Sequence, residues 1–293
     1  MLTTPDAYEK HQDGLALAHR EEVGRGDRFE FGKNWRRYLS QLNERQIAAA
    51  RDSLAAWIDA ASLEGATFLD VGCGSGLFSL AACQLGAQVL SFDFDPDSVA
   101  CALSLREKFV IEKGRWRIVQ GSVLDHDFLA TLGRFDIVYS WGVLHHTGNM
   151  WQAIANAADL VASSGRLWLA IYNDQGRSSR RWLWVKQMYN QLPPGLRWAV
   201  LYPAAVRLRG PTIIRDALSG QPLASFRQYQ SASRGMSPWR DIVDWVGGYP
   251  FEVAKPEEVF RFLRQRGFSL RELRTCAGGH GCNEFLFTKS DVP

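Results

Sequence analysis

The sequence predicts an α/β fold, in which a doubly wound and mostly parallel sheet of seven strands ends in an antiparallel hairpin. Short apolar runs alternate with helix-length segments between residues 66 and 172. This alternation requires crossover connections, and therefore parallel strands with helices on both faces of the sheet. The last two apolar runs, 269–276 and 283–289, are separated by AGGHGC, which is too short for a crossover helix. We therefore expect these two runs to pair as a hairpin.

The elements follow in order from a first strand at 66–71, ATFLDV, which leads through a glycine turn into the helix LFSLAACQLG. Pro96 opens the second helix, at a position that suits the first helical turn. The remaining strands are predicted at 87–95, 115–121, 135–141 and 165–172, and the remaining helices at 96–110, 149–161 and 256–268.

Helical elements flank this sheet in the sequence. Residues 28–63 carry apolar side chains at helical spacing and are predicted to form one or two helices that pack over the sheet edge or the cofactor cleft. The segment FGKNWRRYL, which includes Trp35, would form one lip of that cleft. After Tyr172 the alternation stops for about eighty residues, which indicates an insertion. We therefore divide the chain into an N-terminal helical cap at 1–64 and a main domain at 65–293, with an insertion at about 173–250.

Composition excludes several classes of protein. Hydrophobic residues make up 46% and charged residues 22% of the chain, as in compact globular domains and unlike disordered or fibrous ones. No apolar run is long enough for a transmembrane helix or a signal peptide. The five cysteines are odd in number and scattered, which indicates reduced thiols. These observations predict a cytoplasmic protein.

The charge is distributed unevenly along the chain. Residues 173–250 contain eleven lysines and arginines against four aspartates, a net charge of +7, whereas the remainder carries −4. Five of the eleven tryptophans also lie in this segment. A basic, tryptophan-rich segment in a mildly acidic protein predicts a specialised surface.

A glycine-rich turn follows the first strand. Gly72, Gly74 and Gly76 allow the backbone to approach a ligand and direct helix N-terminal amides toward it. Asp70 precedes the turn, and Asp93 closes the second strand 21 residues after Gly72. That interval is typical of a nucleoside-binding unit, in which the second-strand carboxylate accepts hydrogen bonds from a ribose diol.

Four segments in this order, LDVGCGSGLFSL, SFDFDP, QGSVLD and FDIVYSWGVLHH, resemble the motifs of the class I S-adenosylmethionine-dependent methyltransferases. The resemblance covers residues 66–172 and the final hairpin. It implies a Rossmann-like fold with a reversed last hairpin, S-adenosylmethionine as the cofactor and methyl transfer as the reaction. The short turn with the bulky Leu77 favours a cofactor without a pyrophosphate over a dinucleotide.

The resemblance also implies roles for individual residues. Asp93 would bind the ribose hydroxyls and Phe94 would pack on the adenine. Ser122 stands where many relatives have an acid, so adenine recognition would fall to Ser122, Val123 or Asp125. The methionine part would be held by Asp70, Gly72, Gly74 and Gly76, and the methyl donor would be bordered by Ser140 and Trp141.

Two histidines follow the fourth strand, at the edge where open α/β sheets bind ligands. His145 and His146 are candidate general bases, since an imidazole titrates in the useful range and an acceptor hydroxyl must lose its proton. The alternative interpretation is that they cap the next helix or fill the pocket wall.

Acceptor binding is predicted from the insertion and the hairpin. Arg180 and Arg181 lie on a Trp- and Arg-rich helix that would either grip an anionic head group or a membrane surface, or simply pack as a lid. Trp141, Tyr249 and His280 are further candidates. No metal site is predicted, because Cys276, His280 and Cys282 lack the spacing of a structural zinc site.

The leading hypothesis is O-methylation of a small-molecule acceptor, such as a sugar, a lipid-linked metabolite or a phenol. The alternative is an RNA (tRNA) methyltransferase, whose basic insertion would neutralise phosphates and stack bases. The dispersed basic residues and the lack of a recognisable RNA-binding module weigh against it. A regulator that binds the cofactor without catalysis is the third hypothesis, and the paired histidines weigh against that one.

Overall fold

The computed structural model describes residues 5–221, 224–225 and 238–290. A seven-stranded sheet in the order β3-β2-β1-β4-β5-β7-β6 forms its centre. Strands β1 to β5 run parallel, while β7 pairs antiparallel with both β5 and β6. The strands are β1 Thr67–Val71, β2 Gln88–Asp93, β3 Trp116–Gln120, β4 Phe135–Trp141, β5 Val161–Tyr172, β6 Phe268–Arg274 and β7 Cys282–Lys289. The predicted fold class, including the terminal hairpin, is confirmed.

Helices surround this sheet, and further helices precede β1 and form the insertion after β5. They are α1 Pro5–Arg25, α2 Phe31–Leu39, α3 Glu44–Ile58, α4 Leu77–Gln84, α5 Pro96–Lys108, α6 His126–Ala130, α7 Met150–Asp159, α8 Arg177–Gln191, α9 Trp198–Leu218, α10 Pro238–Gly247 and α11 Pro256–Arg264. Local sequence fixes several starts. Asn43 and Gln46 form a capping box on α3, and Asp95 caps α5 ahead of Pro96.

Both faces of the sheet are buried. Neighbouring residues of each central strand point to opposite faces and pack in different hydrophobic clusters. In β1, Phe68 belongs to a cluster with Leu54 of α3 and Leu80 of α4. Leu69 belongs to the opposite cluster, with residues of α7 and α11 such as Val259. The near-continuous apolar character of these strands follows from this double burial.

The insertion packs around a third hydrophobic cluster. Trp182 and Tyr189 of α8 meet Ile242 and Val246 of α10. Phe29, just before α2, is buried in the same cluster. The insertion and the N-terminal region therefore contact each other beside the sheet.

Like α9 in the insertion, helix α1 is a long element of the described chain that the sequence analysis did not predict individually. Its sequence has little apolar periodicity, and its contacts with the sheet are polar: Gln12 Nε2 donates to the Gln120 carbonyl, 2.8 Å away. Within the described residues, no helix is both long and apolar enough to cross a membrane.

Candidate active site

The glycine turn connects β1 to α4 in a conformation that only glycine adopts without strain. Gly72, Gly74 and Gly76 have φ angles of 78°, 53° and 78°. A Cβ on Gly72 would collide with Val143, and one on Gly74 would lie 2.9 Å from Cε2 of Trp35. Gly76 differs, because its Cβ would meet Ala102 at 3.0 Å and it does not line the cavity. Gly76 therefore permits close helix packing.

Asp93 ties this turn to the end of β2. Its Oδ2 accepts from the Gly74 backbone N–H at 2.9 Å, and its Oδ1 accepts from the Asp95 N–H at 2.9 Å. Burial, and to a smaller extent the nearby Asp95, raise the pKa of Asp93 to about 7, against the two hydrogen bonds that lower it. The carboxyl group is thus held close to the backbone of the turn.

Asp70 lies buried at the end of β1, where its Oδ2 accepts from the Ser79 hydroxyl. Burial raises the pKa of Asp70 to about 7, partly offset by the Ser79 hydrogen bond and supported by repulsion from Asp93. Two acidic groups that repel each other in a site of low polarity are stabilised when a cation binds between or beside them.

A cavity of about 620 Å³ opens over the carboxyl ends of β1 to β4. Asp70, Gly72, Gly74 and Asp93 line it, together with side chains from the N-terminal helices, the insertion and the β6–β7 hairpin. Its volume is within the range of small-molecule and cofactor sites. The predicted ligand edge of the sheet and the glycine turn therefore share one cleft.

Phe94 lines this cavity and is held by two residues of the N-terminal region. The Arg28 guanidinium lies 4.8 Å from the centre of the Phe94 ring, and His19 packs on the same ring edge-on at 5.5 Å. Ser122 and Val123 also line the cavity, and Ser122 Oγ accepts from the Leu124 N–H at 3.2 Å.

Asp125 is engaged elsewhere. Its carboxylate accepts from the Phe128 N–H at 3.0 Å as the cap of α6, and its other oxygen lies 3.3 Å from His11 Nε2. Asp125 does not line the cavity. The contribution to adenine binding that the resemblance allowed for Asp125 therefore has no support in the geometry.

His146 lines the cavity and has a fixed orientation. Its Nδ1 lies 2.6 Å from the Pro250 carbonyl oxygen, and because a carbonyl only accepts, Nδ1 carries the proton and Nε2 the lone pair. Burial lowers the pKa of His146 to about 3, with Lys186 and Arg28 contributing repulsion. The imidazole is therefore neutral across the physiological pH range.

His145 is placed differently from the prediction. Its side chain is fully buried and is not part of the cavity lining, and its ring packs on Tyr172 at 3.9 Å between centroids. Its Nδ1 accepts from the Tyr172 backbone N–H at 3.3 Å. Burial pushes its pKa well below the usual value. The prediction that His145 is a candidate base is corrected, because this residue fills the pocket wall behind Tyr172.

Several predicted acceptor and cofactor residues also lie outside the lining. Arg180 and Arg181 are exposed on α8, so they face solvent and not the cleft. Tyr249 contributes its backbone carbonyl to the Phe29 N–H at 2.9 Å and does not line the cavity. Ser140 is buried and donates to the Val71 carbonyl at 3.0 Å. Their positions in the sequence predicted that these residues lie at the site, but in the structure their side chains do not line the cavity.

The charged residues that the insertion contributes to the lining are Asp241 and Asp244 of α10. Asp244 accepts from the Asn34 side chain, and Arg209 lies 3.3 Å from Asp241. Together with Asp70 and Asp93, they make most of the charged residues of the lining acidic. The basic character of the insertion in the sequence is thus reversed at the cavity.

Aromatic side chains form the rest of this part of the cavity. Trp141 and His280 line it as predicted candidates, and so does Trp35 of the predicted N-terminal lip, whereas Tyr172 and Trp245 were not predicted. Trp245 packs edge-on against Tyr172 at 5.1 Å and on His280 at 5.4 Å. The contact of Trp35 with Gly74 joins residues distant in sequence, so the glycine pattern does not by itself indicate it.

Lys186 is the other unexpected residue, since it is fully buried under α10. Its Nζ donates to the Trp245 carbonyl and lies 4.6 Å from the Trp245 ring and 4.7 Å from the Phe251 ring. Burial lowers the pKa of Lys186 to about 7, and Asp244 partly opposes this. No cluster of metal-ligating side chains is found among the residues that the structure describes.

Comparison with known proteins finds similarity to methyltransferases in the central part of the chain. A family model described as a methyltransferase domain matches residues 69–169. The chain is 35% identical over 113 residues to a ubiquinone biosynthesis O-methyltransferase of Xanthomonas campestris, which covers 38% of this chain and 45% of that protein. It is 42% identical over 65 residues to a ribosomal protein L11 methyltransferase of Helicobacter hepaticus, which covers 22% and 20%. The chain thus spans less than half the length of these curated relatives.

A solved structure extends the similarity in fold to most of the chain. Magnesium protoporphyrin IX methyltransferase from Synechocystis, solved with bound SAH, superposes with a TM-score of 0.53 at 18% identity and covers 92% of this chain and 100% of that one. PKMT2 from Rickettsia typhi in complex with AdoHcy gives a TM-score of 0.50 at 15% identity over 79% of this chain and 50% of that one. Residues 69–169 therefore resemble a methyltransferase domain, and the solved structures share the fold of this chain.

Proposed function

We propose that the protein transfers the methyl group of S-adenosylmethionine to a hydroxyl oxygen of a small, uncharged acceptor. The observation that carries this proposal is the shared cavity: the glycine turn with Asp70 and Asp93 and the orientated imidazole of His146 line the same space of about 620 Å³. Donor and acceptor then meet without leaving the cleft, which is the main requirement of an in-line displacement.

The residues around the turn suit a cationic nucleoside. When bound, S-adenosylmethionine supplies an electrophilic methyl group on a positively charged sulfur. Asp70 would hold the cationic methionine part, because its pKa near 7 indicates a carboxyl group that gains from a nearby cation, and Asp93 would accept hydrogen bonds from the ribose hydroxyls. Phe94 would pack on the adenine, with Ser122 and Val123 beside it. Gly72 and Gly74 would allow the close approach, for which a side chain leaves no space.

His146 would receive the proton. Bound S-adenosylmethionine would supply the methyl group, with the electrons of the carbon–sulfur bond staying on sulfur, and the proton of the acceptor hydroxyl would pass to Nε2 of His146. The Pro250 carbonyl keeps the other nitrogen protonated and stabilises the resulting imidazolium. Solvent then takes the proton.

The charge of the cavity supports an uncharged acceptor over RNA. Asp241 and Asp244 line the acceptor part with Tyr172 and Trp245, and Arg180 and Arg181 face solvent. Carboxylates and aromatic rings bind hydroxyl groups and flat apolar faces, whereas they repel a phosphate backbone. This supports a sugar-like or phenolic acceptor. The division at residue 64, the insertion at about 173–250 and a reducing, cytoplasmic setting for the five free thiols stay part of the same proposal.

The test incubates the purified protein and labelled S-adenosylmethionine with cell extract, before and after ribonuclease treatment. We expect label in a ribonuclease-resistant small-molecule fraction, while label in RNA would favour the alternative. Once an acceptor is isolated, His146→Gln should lower kcat by about a hundredfold or more and leave cofactor affinity unchanged. His145→Gln is the matched control, because its ring lies outside the cavity. Equal turnover of both variants would exclude His146 as the base.

A further inference from the structure

Helix α9 carries an apolar surface on its solvent side. Tyr202, Val206 and Ile214 are 56%, 71% and 61% exposed, and Ile213 is 41% exposed. At about 100° per residue these four side chains fall within an arc of about 120° on which no residue of the helix is charged. Trp198, 58% exposed, lies about 40° beyond one end of this arc, with Arg209 between it and Tyr202 in projection. We call these five residues the α9 outer face.

The inner side of the same helix is apolar as well. Ala204 is buried, and Val200, Leu201 and Leu208 pack against the hydrophobic cluster of the insertion. A surface helix of a globular protein normally keeps one polar side toward water. Because α9 is apolar on both sides, its outer face calls for a second apolar environment.

Exposed apolar side chains are concentrated in the insertion. Of the twelve large hydrophobic side chains that are exposed in the described chain, nine lie between residues 184 and 239. They include Trp184 on α8 and Trp239 on α10, and Trp239 lies 5.6 Å from Tyr202 between ring centres. Large contiguous apolar patches mark interaction surfaces, and tryptophan and tyrosine are the residues enriched at membrane interfaces.

Exposed arginines lie on α9 itself and on α8, the helix before it. Arg207 borders the α9 outer face and is exposed, and Arg180 and Arg181 are exposed on the neighbouring helix α8. The segment 173–250 carries a net charge of +7. An anionic surface complements this charge, whereas a second copy of the chain would bring like charges together. Apolar side chains flanked by arginines are the composition of helices that lie in a lipid interface.

We propose that the α9 outer face docks on the surface of an anionic lipid bilayer. The helix would lie parallel to the bilayer plane, with Tyr202 and Val206 in the acyl boundary and the arginines at the head groups. Helix α9 is joined to α10 by the Arg209–Asp241 ion pair, and α10 lines the acceptor part of the cavity. Docking would therefore hold that part of the cleft beside the membrane. The proposal is independent of which acceptor is methylated.

The test is flotation of the full chain with phosphatidylcholine vesicles that contain roughly a third phosphatidylglycerol, compared with phosphatidylcholine alone. We expect the wild type to float with the anionic vesicles at low salt. Trp198→Ser/Tyr202→Ser should lower partitioning by roughly tenfold or more on removal of two interfacial aromatic rings. Arg180→Gln/Arg181→Gln should lower it by about fivefold per charge on the anionic vesicles only.

Leu17→Ser/Val110→Ser is the matched control. These two side chains lie outside the insertion and are 57% and 86% exposed, respectively. Cofactor affinity measured on every variant shows that each is folded. The proposal is overturned if the wild type does not float, if the Trp198/Tyr202 variant floats like the control, or if sedimentation shows a dimer that this variant dissociates. A dimer of that kind would make the α9 outer face an interface between copies of the chain.

Discussion

At the scale of single residues, the cavity holds acidic groups whose ionisation is costly until a cation arrives. Asp70 and Asp93 have pKa values of about 7, raised mainly by burial. Their folded-state pKa values lie above those of the unfolded chain, so the folded protein binds more protons between about pH 4 and pH 7. In the free protein these two residues therefore contribute stability that is lost as the pH rises through about 7.

Binding of the cofactor should lower the pKa values of Asp70 and Asp93 and thereby release protons. At about pH 6.5 the α-amino group of the ligand is already protonated, so a net release reports the carboxyl groups. We expect the calorimetric binding enthalpy of S-adenosylhomocysteine or S-adenosylmethionine to depend on the ionisation enthalpy of the buffer, with a larger release for the sulfonium compound. Asp93→Asn should reduce the number of protons released. Identical enthalpies in all buffers would contradict the prediction.

Lys186 is a second residue whose burial has a measurable consequence. Its pKa is lowered from 10.5 to about 7, so the unfolded chain binds the additional proton between these values. The free energy of unfolding of the wild type should therefore rise as the pH increases from about 7 to about 10. Lys186→Met should lack most of this rise, which we expect to be about 2–3 kcal/mol between pH 7 and pH 9.5.

Urea unfolding at the two pH values measures this difference. Lys33→Met is the matched control, since the Lys33 side chain is 56% exposed and its ion pair with Glu30 is at the surface. The control should follow the wild type within about 0.5 kcal/mol. If Lys186→Met shows the same pH dependence as the wild type, then Lys186 is charged in the folded protein at neutral pH.

At the scale of elements, the sequence predicts where strands and helices lie better than it predicts which way they face. The β1–α4 turn and the terminal hairpin were predicted because both depend on local patterns, a glycine triplet and a short loop. The interior of the insertion was not. On α8, Arg181 is exposed and Lys186 is buried, although both are basic residues of one helix. Orientation depends on the partner α10, which is distant in sequence.

The contact between α2 and the glycine turn is testable by adding one methyl group. Gly74→Ala would strain a left-handed backbone and bring its Cβ to 2.9 Å from Trp35. The backbone strain should cost about 1–2 kcal/mol of stability, and displacement of Trp35 and of the Asp93 hydrogen bond should lower cofactor affinity by about tenfold or more.

Gly65→Ala separates the two effects. Gly65 has a φ of 72°, and a Cβ there would meet nothing within 4 Å. This control should lose a similar amount of stability in thermal unfolding while the calorimetric affinity for the cofactor stays at the wild-type value. A loss of affinity in both variants would mean that backbone strain, not the contact with Trp35, controls binding.

At the scale of the whole molecule, one cavity collects side chains from nearly the full length of the chain. His19 of α1 and Cys282 of β7 both line it, as do Trp35 of α2 and Trp245 of α10. Motifs identify the part of the cavity that one βαβ unit builds. The cover and the opposite wall arise from contacts between segments that are distant in sequence, such as Gly32 with Asp95 and Asn34 with Asp244, for which a single sequence has no local signal.

The cover of the cavity depends on how α2 docks on α5. The Gly32 N–H donates to Asp95 Oδ2 at 2.7 Å, and a Cβ at this position would lie 2.6 Å from Oδ1 of the same carboxylate and 2.5 Å from Cβ of Asp97. Gly32→Ala should therefore displace α2 and, with it, Trp35 above the glycine turn. We expect cofactor affinity to fall by about tenfold and amide exchange in residues 31–39 to become faster.

Gly24→Ala is the matched control, because a Cβ on Gly24 would meet nothing within 4 Å. It should bind the cofactor as the wild type does and gain a few tenths of a kcal/mol in stability from the better helix former. If Gly32→Ala binds the cofactor with wild-type affinity although exchange in α2 is faster, the N-terminal helices cover the cavity without contributing to cofactor binding.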